Sequence, residues 1–192
     1  FILTLVVLTS CGRSERGSSD CDVDAVRATF GFASDVSPVC GDARILGKNI
    51  PNVGANSSNP GCGFNDAVRV YALSGVQLSP PARMQCRTAH IAETWVSRHI
   101  QPTASGRGDA IRTAHVAADY SCRTRNHQRG AKLSEHAKGT AIDIKAFTFA
   151  SGKRLSVLDD WDGPDGGMLK ALFRASFRIW HTAIGPDGDR FH

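Results

Sequence analysis

The sequence lacks several features that would place it in a familiar class of protein. Its internal apolar runs fall well short of the ~20 residues that a transmembrane helix needs, which excludes a polytopic membrane protein. No period of about 20 to 50 residues is present, so a solenoid is excluded. Gly-X-Y triplets and heptads are absent as well, which excludes a fibre.

The composition instead suits a globular chain with a basic surface. Of its 192 residues, 41% are hydrophobic, which argues against a wholly disordered chain and suits one domain with an N-terminal extension. The net charge of +5 favours anionic partners such as phospholipid or acidic wall polymers. Basic residues are dense from Arg123 to Lys145, but Glu135 and Asp143 interrupt them and no RNP-like aromatic set or helix-turn-helix pattern accompanies them. We therefore expect no nucleic-acid partner, and nucleic-acid binding is the minor alternative.

The N-terminal residues predict export. Residues 1–8 form a short apolar run with the length of the hydrophobic region of a signal peptide. Leu8-Thr9-Ser10-Cys11 is similar to a bacterial lipobox, in which Cys11 would carry lipid and anchor the protein to a membrane. We interpret residues 1–11 as part of a lipoprotein signal peptide and expect further residues before Phe1. The alternative is an ordinary signal peptide, in which Cys11 is not modified.

Behind this segment the sequence predicts a tether and then one domain. Residues 12–39 are interpreted as a flexible tether and N-terminal extension, and residues 40–192 as the domain. A periplasmic location, with a lipid anchor to the membrane, permits disulfides. If Cys11 carries lipid, the number of remaining cysteines is odd, and their spacing does not determine which of them pair: Cys21, Cys40, Cys62, Cys86 and Cys122.

Periodicity predicts a mixture of strands and helices without regular βαβ alternation. Ser79-Pro80-Pro81 is interpreted as the start of a helix, because proline is tolerated in a first helical turn. The mixture favours an α+β fold with a small antiparallel sheet flanked by helices. The predicted strands are 67–71, 110–120, 140–149 and 154–157, and the predicted helices are 82–99 and 168–180.

The most informative pair of residues is His136 and Asp143. His136 precedes the strand predicted from residue 140, Asp143 lies on it, and Gly139 between them allows the chain to turn tightly. An imidazole and a carboxylate would supply two of the three protein ligands that a catalytic zinc site usually has. Taken alone, such a pair is more often two surface polar residues.

A longer pattern of residues gives the pair more meaning. The pattern Ser-x-His-x-x-Gly-x-Ala-x-Asp, at Ser134 to Asp143, resembles the zinc motif of the D-alanyl-D-alanine metallopeptidases and their murein endopeptidase and hedgehog relatives. Within that superfamily the chain resembles the extensin-like C-terminal family of bacteria. The matching segments are Gly61-Cys62-Gly63, Leu78 to Cys86, Trp95-Val96, Gln101-Pro102, Tyr120 to Arg123, and Ser134 to Asp143.

The resemblance implies a hedgehog/D,D-peptidase-like fold and roles for particular residues. His136 and Asp143 would bind Zn2+, and Arg123 would bind a substrate carboxylate or carbonyl oxygen, a task that suits a guanidinium. Ser134 and Glu135 would orient the loop that carries the histidine, and Gly139 would allow its turn.

The C-terminal part of the resemblance is incomplete. His192 corresponds to the first histidine of the superfamily's C-terminal pattern and would belong to the catalytic set, so we expect the third zinc ligand beyond it. His181 is an alternative third ligand, although helix packing or surface exposure would explain it equally well. The family's late cysteine is replaced at about Phe177, which would leave Cys122 or another cysteine without a partner.

The resemblance implies a zinc-dependent peptidase of the cell envelope. The expected substrates are peptidoglycan peptides, cleaved by a D,D-carboxypeptidase or endopeptidase activity through zinc-assisted hydrolysis. A non-catalytic wall-binding or structural lipoprotein on the same fold is the main alternative. A thiol peptidase that uses Cys122 as its nucleophile is a minor one.

Overall fold

The computed structural model of the protein describes residues 22–54 and 57–188. The predicted signal peptide with Cys11, and also Cys21 and His192, lie outside these residues. The predictions of a lipid anchor and of a catalytic His192 therefore stay predictions. Among the residues described, no helix is both long and apolar enough to cross a membrane.

The described residues form an α+β fold, as predicted. Its one sheet has seven strands and is larger than the small sheet that was expected. Its strands are adjacent in chain order, and every neighbouring pair is antiparallel except β4 and β5, which are parallel. The strands are β1 Ser37–Val39, β2 Asp42–Asn49, β3 Ala67–Leu73, β4 Val76–Gln85, β5 Ile111–Ala118, β6 Asp143–Phe149 and β7 Arg154–Ser156.

The parallel pair requires a crossover, and helices provide it. A parallel neighbour cannot be reached by a tight hairpin, so the chain between β4 and β5 must cross one face of the sheet. It does so through α2 (Cys86–Trp95), a π-helical turn (Val96–Ile100) and α3 (Gln101–Ser105). The buried side chains of this crossover and of a later helix pack on the sheet to form the main core.

A second, smaller core lies on the other face of the sheet. Helix α1 (Val23–Phe30) packs there through Val26 against residues of the strands. Ile45 and Leu46 are consecutive residues of β2 that belong to different clusters, which shows that the clusters occupy opposite faces. Part of the predicted N-terminal extension, residues 22–39, therefore contains a helix and an edge strand.

The predicted start of the long helix is wrong. Pro80 and Pro81 lie in β4, and the helix begins at Cys86. In the ladder between β3 and β4, Val70 is opposite Ala82 while Ala72 is opposite Gln77, so pairing is interrupted where the prolines lie. Because no ladder hydrogen bond is required there, the missing proline N–H groups are tolerated in the strand.

The other predicted elements are present with shifted ends. Strands β3, β5, β6 and β7 correspond to the four predicted strands. The last helix, α4, spans Gly166–Ser176 and ends before Trp180, contrary to the prediction. Trp180 nevertheless packs edge-to-face on Trp95, with ring centroids 6.1 Å apart, so its apolar character reflects core packing rather than helix position.

Candidate functional site

Two segments of the motif lie side by side in antiparallel orientation. Main-chain hydrogen bonds join Ser121 N to His136 O (3.3 Å), Ser134 N to Arg123 O (2.9 Å) and Arg125 N to Lys132 O (2.9 Å). These bonds bring the segment with Arg123 against the segment with His136, although the intervening chain forms a loop. The predicted substrate-binding residue and the predicted zinc ligand therefore lie in one place.

A tight turn presents His136. Ser134 caps the 3-10 turn Glu135–Lys138 by accepting a hydrogen bond from His136 N (3.4 Å), and Gly139 ends it in a left-handed conformation with φ 67°. A Cβ atom at Gly139 would collide with the ring of Phe64. The main chain of the turn is also held by the Gly63 N–H, which donates to Ala137 O (2.7 Å).

His136 and Asp143 contact one another, as the sequence predicted. His136 Nε2 lies 3.2 Å from Asp143 Oδ2, and His136 Nδ1 lies 2.6 Å from the main-chain carbonyl oxygen of Asp119. A carbonyl oxygen only accepts, so Nδ1 carries a proton and donates it. The His136 side chain is nearly buried, at 9% exposure, whereas the Asp143 side chain is 45% exposed.

This geometry requires a positive charge between the two side chains. When Nδ1 holds the proton of a neutral imidazole, Nε2 presents a lone pair, and that lone pair faces the carboxylate oxygen of Asp143. Two acceptors at this distance repel unless a proton or a metal ion lies between them. A main-chain carbonyl on the far nitrogen is also the usual means of orienting a histidine ligand, so this pair of residues fits a zinc ion.

The protonation of His136 reflects the same contacts. Burial by itself lowers the pKa of His136, but the hydrogen bond to Asp143 and the bond to the Asp119 carbonyl outweigh it and raise the pKa above its ordinary value. The positive charge of Arg123 acts in the opposite direction. Arg123 therefore lies close enough for its charge to reach the imidazole.

Sequence reasoning missed the residues that hold Asp119. Arg83 binds the Asp119 carboxylate through its main-chain N (2.9 Å), Nε (2.8 Å) and Nη2 (2.9 Å), and Nη2 also donates to Tyr120 O (3.2 Å). Burial alone would raise the pKa of Asp119, but these bonds hold it below its ordinary value. Nothing in the spacing of Arg83 and Asp119 indicates the contact, because it depends on how the strands pair.

The disulfides correct one prediction. Cys122 is bonded to Cys62, and Cys40 is bonded to Cys86, so Cys122 has a partner and cannot act as a thiol nucleophile. Within the described residues no cysteine is free. The Cα atoms of Cys62 and Cys122 are 5.5 Å apart across a separation of 60 residues, a proximity that only the fold creates.

The remaining predicted residues surround the turn. Arg123 is half-buried, and Nη1 makes one long bond to Thr124 O (3.4 Å). Glu135 is exposed and accepts bonds from Lys138 Nζ (3.2 Å) and Thr140 Oγ1 (3.0 Å), which brace the turn.

Only two of the predicted zinc ligands, His136 and Asp143, lie in the described part of the chain. Residues 22–54 and 57–188 contain no cluster of three or more His, Cys, Asp or Glu side chains that could hold a metal. His181 is exposed and does not join His136 and Asp143, so the alternative third ligand is not supported.

Comparison with known proteins identifies a family. A family model described as Extensin-like protein C-terminus matches residues 41–192, well over half of the chain. No curated protein and no solved structure matches the sequence.

Proposed function

Because the chain belongs to the extensin-like protein C-terminus family, we propose that it is a zinc-dependent peptidase acting on peptidoglycan stem peptides. The observation that carries the proposal is the pairing of His136 Nε2 with Asp143 Oδ2 at 3.2 Å, with Nδ1 committed to a carbonyl. That arrangement leaves one nitrogen lone pair and one carboxylate directed at a common point. The wider resemblance to the D-alanyl-D-alanine metallopeptidases supplies the class of substrate and the fold type, hedgehog/D,D-peptidase-like.

The contacts of these residues support the role that we propose for each. His136 and Asp143 would hold the zinc ion, which when bound supplies Lewis acidity to the scissile carbonyl and a nucleophile at neutral pH. Arg123 would bind a substrate carboxylate or stabilise the developing oxyanion, since its guanidinium has no carboxylate partner among the described residues. A third ligand beyond the described residues stays a prediction, as does the role of His192.

A non-catalytic wall-binding protein is the second candidate. It is favoured by the direct contact of the two predicted ligands and by the lack of a third donor within residues 22–54 and 57–188. In that case a proton on Nε2 would supply the required positive charge, and the site would bind peptides without cleaving them.

Metal analysis and digestion of muropeptides distinguish the two candidates. We expect the purified full-length protein to hold about one equivalent of zinc and to shorten muropeptides, as seen by mass spectrometry. His136→Ala and Asp143→Asn should lose both properties. The matched control His181→Ala alters an exposed histidine outside the pair and should lose neither. Retention of muropeptides without shortening, together with no bound zinc, would support the wall-binding protein instead.

We also propose that the protein is exported and lipid-anchored in the periplasm. The supporting feature is the lipobox-like segment ending at Cys11. Cys11→Ala should move the protein from the membrane fraction to the soluble periplasmic fraction, because an unlipidated domain has no acyl chains to insert. Unchanged membrane association of this variant would contradict the anchor.

A further inference from the structure

A row of cationic side chains crosses the face of the sheet that carries α1. Lys48 on β2 is directly opposite Arg69 on β3, and Arg69 is directly opposite Arg83 on β4. Like charges directly opposite one another destabilise a sheet. The row is therefore costly unless acidic groups or a ligand offset it.

Acidic residues neutralise the two ends of the row. Lys48 Nζ lies 2.6 Å from Asp35 Oδ2, and Arg83 Nε lies 2.8 Å from Asp119 Oδ2. Arg69, in the middle, is exposed and has no acidic partner within residues 22–54 and 57–188. One unmatched positive charge is therefore left between two neutralised cations.

A groove lies beside this charge. It is open to solvent, has a volume of about 390 Å³, and is lined by charged residues as well as by apolar and aromatic ones. Tyr71 is held in place by an edge-to-face contact with Phe32 (5.5 Å between centroids) and by Lys48 over its ring (5.5 Å), so the wall is preformed. The lining residues are Arg69, Tyr71, Pro80, Pro81, Arg83, Val116 and Asp119.

The groove is adjacent to the candidate site. Asp119 contributes to the groove, and its own main-chain carbonyl holds His136 Nδ1. The groove and the candidate site therefore share Asp119, which places the two close together. This position suits a part of the substrate that lies away from the bond to be cleaved.

We propose that this groove binds a free carboxylate of a short extended peptide, with Arg69 as the residue that recognises it. The assignment rests on the proposed function for the identity of the peptide as a peptidoglycan stem. The guanidinium of Arg69 takes the carboxylate in a bidentate pair, and Tyr71, Pro80 and Pro81 contact the adjoining aliphatic part.

The charge of the groove favours a carboxylate over a phosphate polymer. A guanidinium fits both groups, but only one charge is unmatched, and the Asp119 carboxylate nearby repels additional negative charge. A polymer with a phosphate on each unit would need several free cations along its path. A single carboxylate neutralises the one unmatched charge of the groove, that of Arg69.

Equilibrium binding to a protein that cannot cleave its ligand tests the proposal. Full-length protein with His136→Ala would be titrated with a stem tetrapeptide with free carboxylates and with the same peptide fully amidated. Because Arg69→Gln removes a charge-assisted bidentate pair, it should weaken binding of the free acid about ten-fold or more. The amidated peptide should bind the parent protein as weakly as the acid binds the variant, and Arg69→Gln should not alter its affinity.

The controls separate recognition from folding. Arg154→Gln removes an exposed arginine of β7, on the same sheet but outside the groove, and should leave affinity unchanged. Arg69→Gln relieves repulsion within the row, so its Tm should be equal to or above that of the parent. Arg69→Lys should restore part of the affinity, because an ammonium keeps the charge without the bidentate geometry.

Three results would overturn the assignment. These are unchanged affinity for the acid in Arg69→Gln, equal affinity of the parent for the acid and amidated peptides, and an Arg69-dependent preference for poly(glycerol phosphate) over the peptide. If the protein with His136 intact neither bound zinc nor shortened muropeptides, while peptide binding still depended on Arg69, only the proposed function would be contradicted.

Discussion

Gly139 meets two requirements that no other residue type meets together. Its φ of 67° lies in the left-handed region, and a Cβ atom there would collide with the ring of Phe64. Gly31 provides a matched control, since it ends α1 at φ 64° with no atom within 4 Å of an added Cβ.

We therefore expect Gly139→Ala to lower the free energy of unfolding more than Gly31→Ala does. The left-handed backbone costs both variants about 1 to 2 kcal/mol, and the collision with Phe64 adds about 1 to 3 kcal/mol to the first alone. Urea unfolding measures both values. Equal losses in the two variants would show that the Phe64 ring moves aside freely.

The contact between His136 and Asp143 predicts how the stability of the metal-free protein depends on pH. The pKa of His136 is raised in the folded state. The contact with Asp143 therefore stabilises the folded protein fully at pH values below about 6.5, the pKa of a histidine in the unfolded chain. This stabilisation is lost as the pH rises through the folded pKa, where the imidazole loses its charge.

We expect Asp143→Asn, in the presence of chelator, to cost more at about pH 5.5 than at about pH 9. The difference should be at most about 1 kcal/mol, because the carboxylate is partly exposed to solvent. Asp162→Asn alters an exposed carboxylate elsewhere and should show no such dependence across neutral pH. A cost for Asp143→Asn that is constant with pH would contradict the protonated pair.

At the scale of elements, the two disulfides within residues 22–54 and 57–188 serve different parts of the fold. Cys40–Cys86 closes a separation of 46 residues and joins the turn after β1 to the start of α2. Cys62–Cys122 closes a separation of 60 residues and joins the Gly61–Gly63 loop to the segment that carries Arg123. Similar loop lengths imply similar stabilisation through the unfolded chain.

Replacing either pair with serines should cost about 3 to 4 kcal/mol in the free energy of unfolding. Under the proposed function, only the loss of Cys62–Cys122 should also weaken zinc binding, because it frees the segment that lies against His136. Urea unfolding and competition with a chromophoric chelator measure the two effects. Equal zinc affinities of the two double-serine variants would contradict this prediction.

The predicted elements show which local patterns determine structure. The strands at β3, β5, β6 and β7 were found from local pattern, and the structure confirms them. The helix start predicted from Ser79-Pro80-Pro81 was wrong, because proline fits both a first helical turn and an interrupted stretch of strand. Pairing with β3 decides between the two, and that pairing is not local.

At the scale of the whole molecule, an ion pair between a buried carboxylate and a half-buried arginine joins the helical layer to the sheet. Glu93 of α2 is 1% exposed, accepts a hydrogen bond from Ser74 Oγ (2.7 Å), and lies 3.1 Å from Arg44 Nη1 of β2. Removing Arg44 leaves the buried carboxylate of Glu93 without its cationic partner, which is costly.

Arg44→Met should therefore lower the free energy of unfolding by about 3 kcal/mol or more. Lys170→Met, which removes the partner of the exposed Asp162, should cost less than about 1 kcal/mol. Thermal or urea unfolding of both variants gives the comparison. Equal costs would mean that water reaches Glu93 and that the pair does not join the two layers.

The sequence by itself determined the α+β class, several strands, and the residues that converge at His136 and Asp143. The class and the strands follow from local periodicity, and the site residues follow from the turn at Gly139 together with the resemblance of Ser134 to Asp143 to a known motif. Only the tertiary structure decided the partners of Cys122, the contact of Arg83 with Asp119, and the unmatched charge of Arg69. Such contacts join residues distant in the chain, and no local pattern encodes which strands pair or in what register.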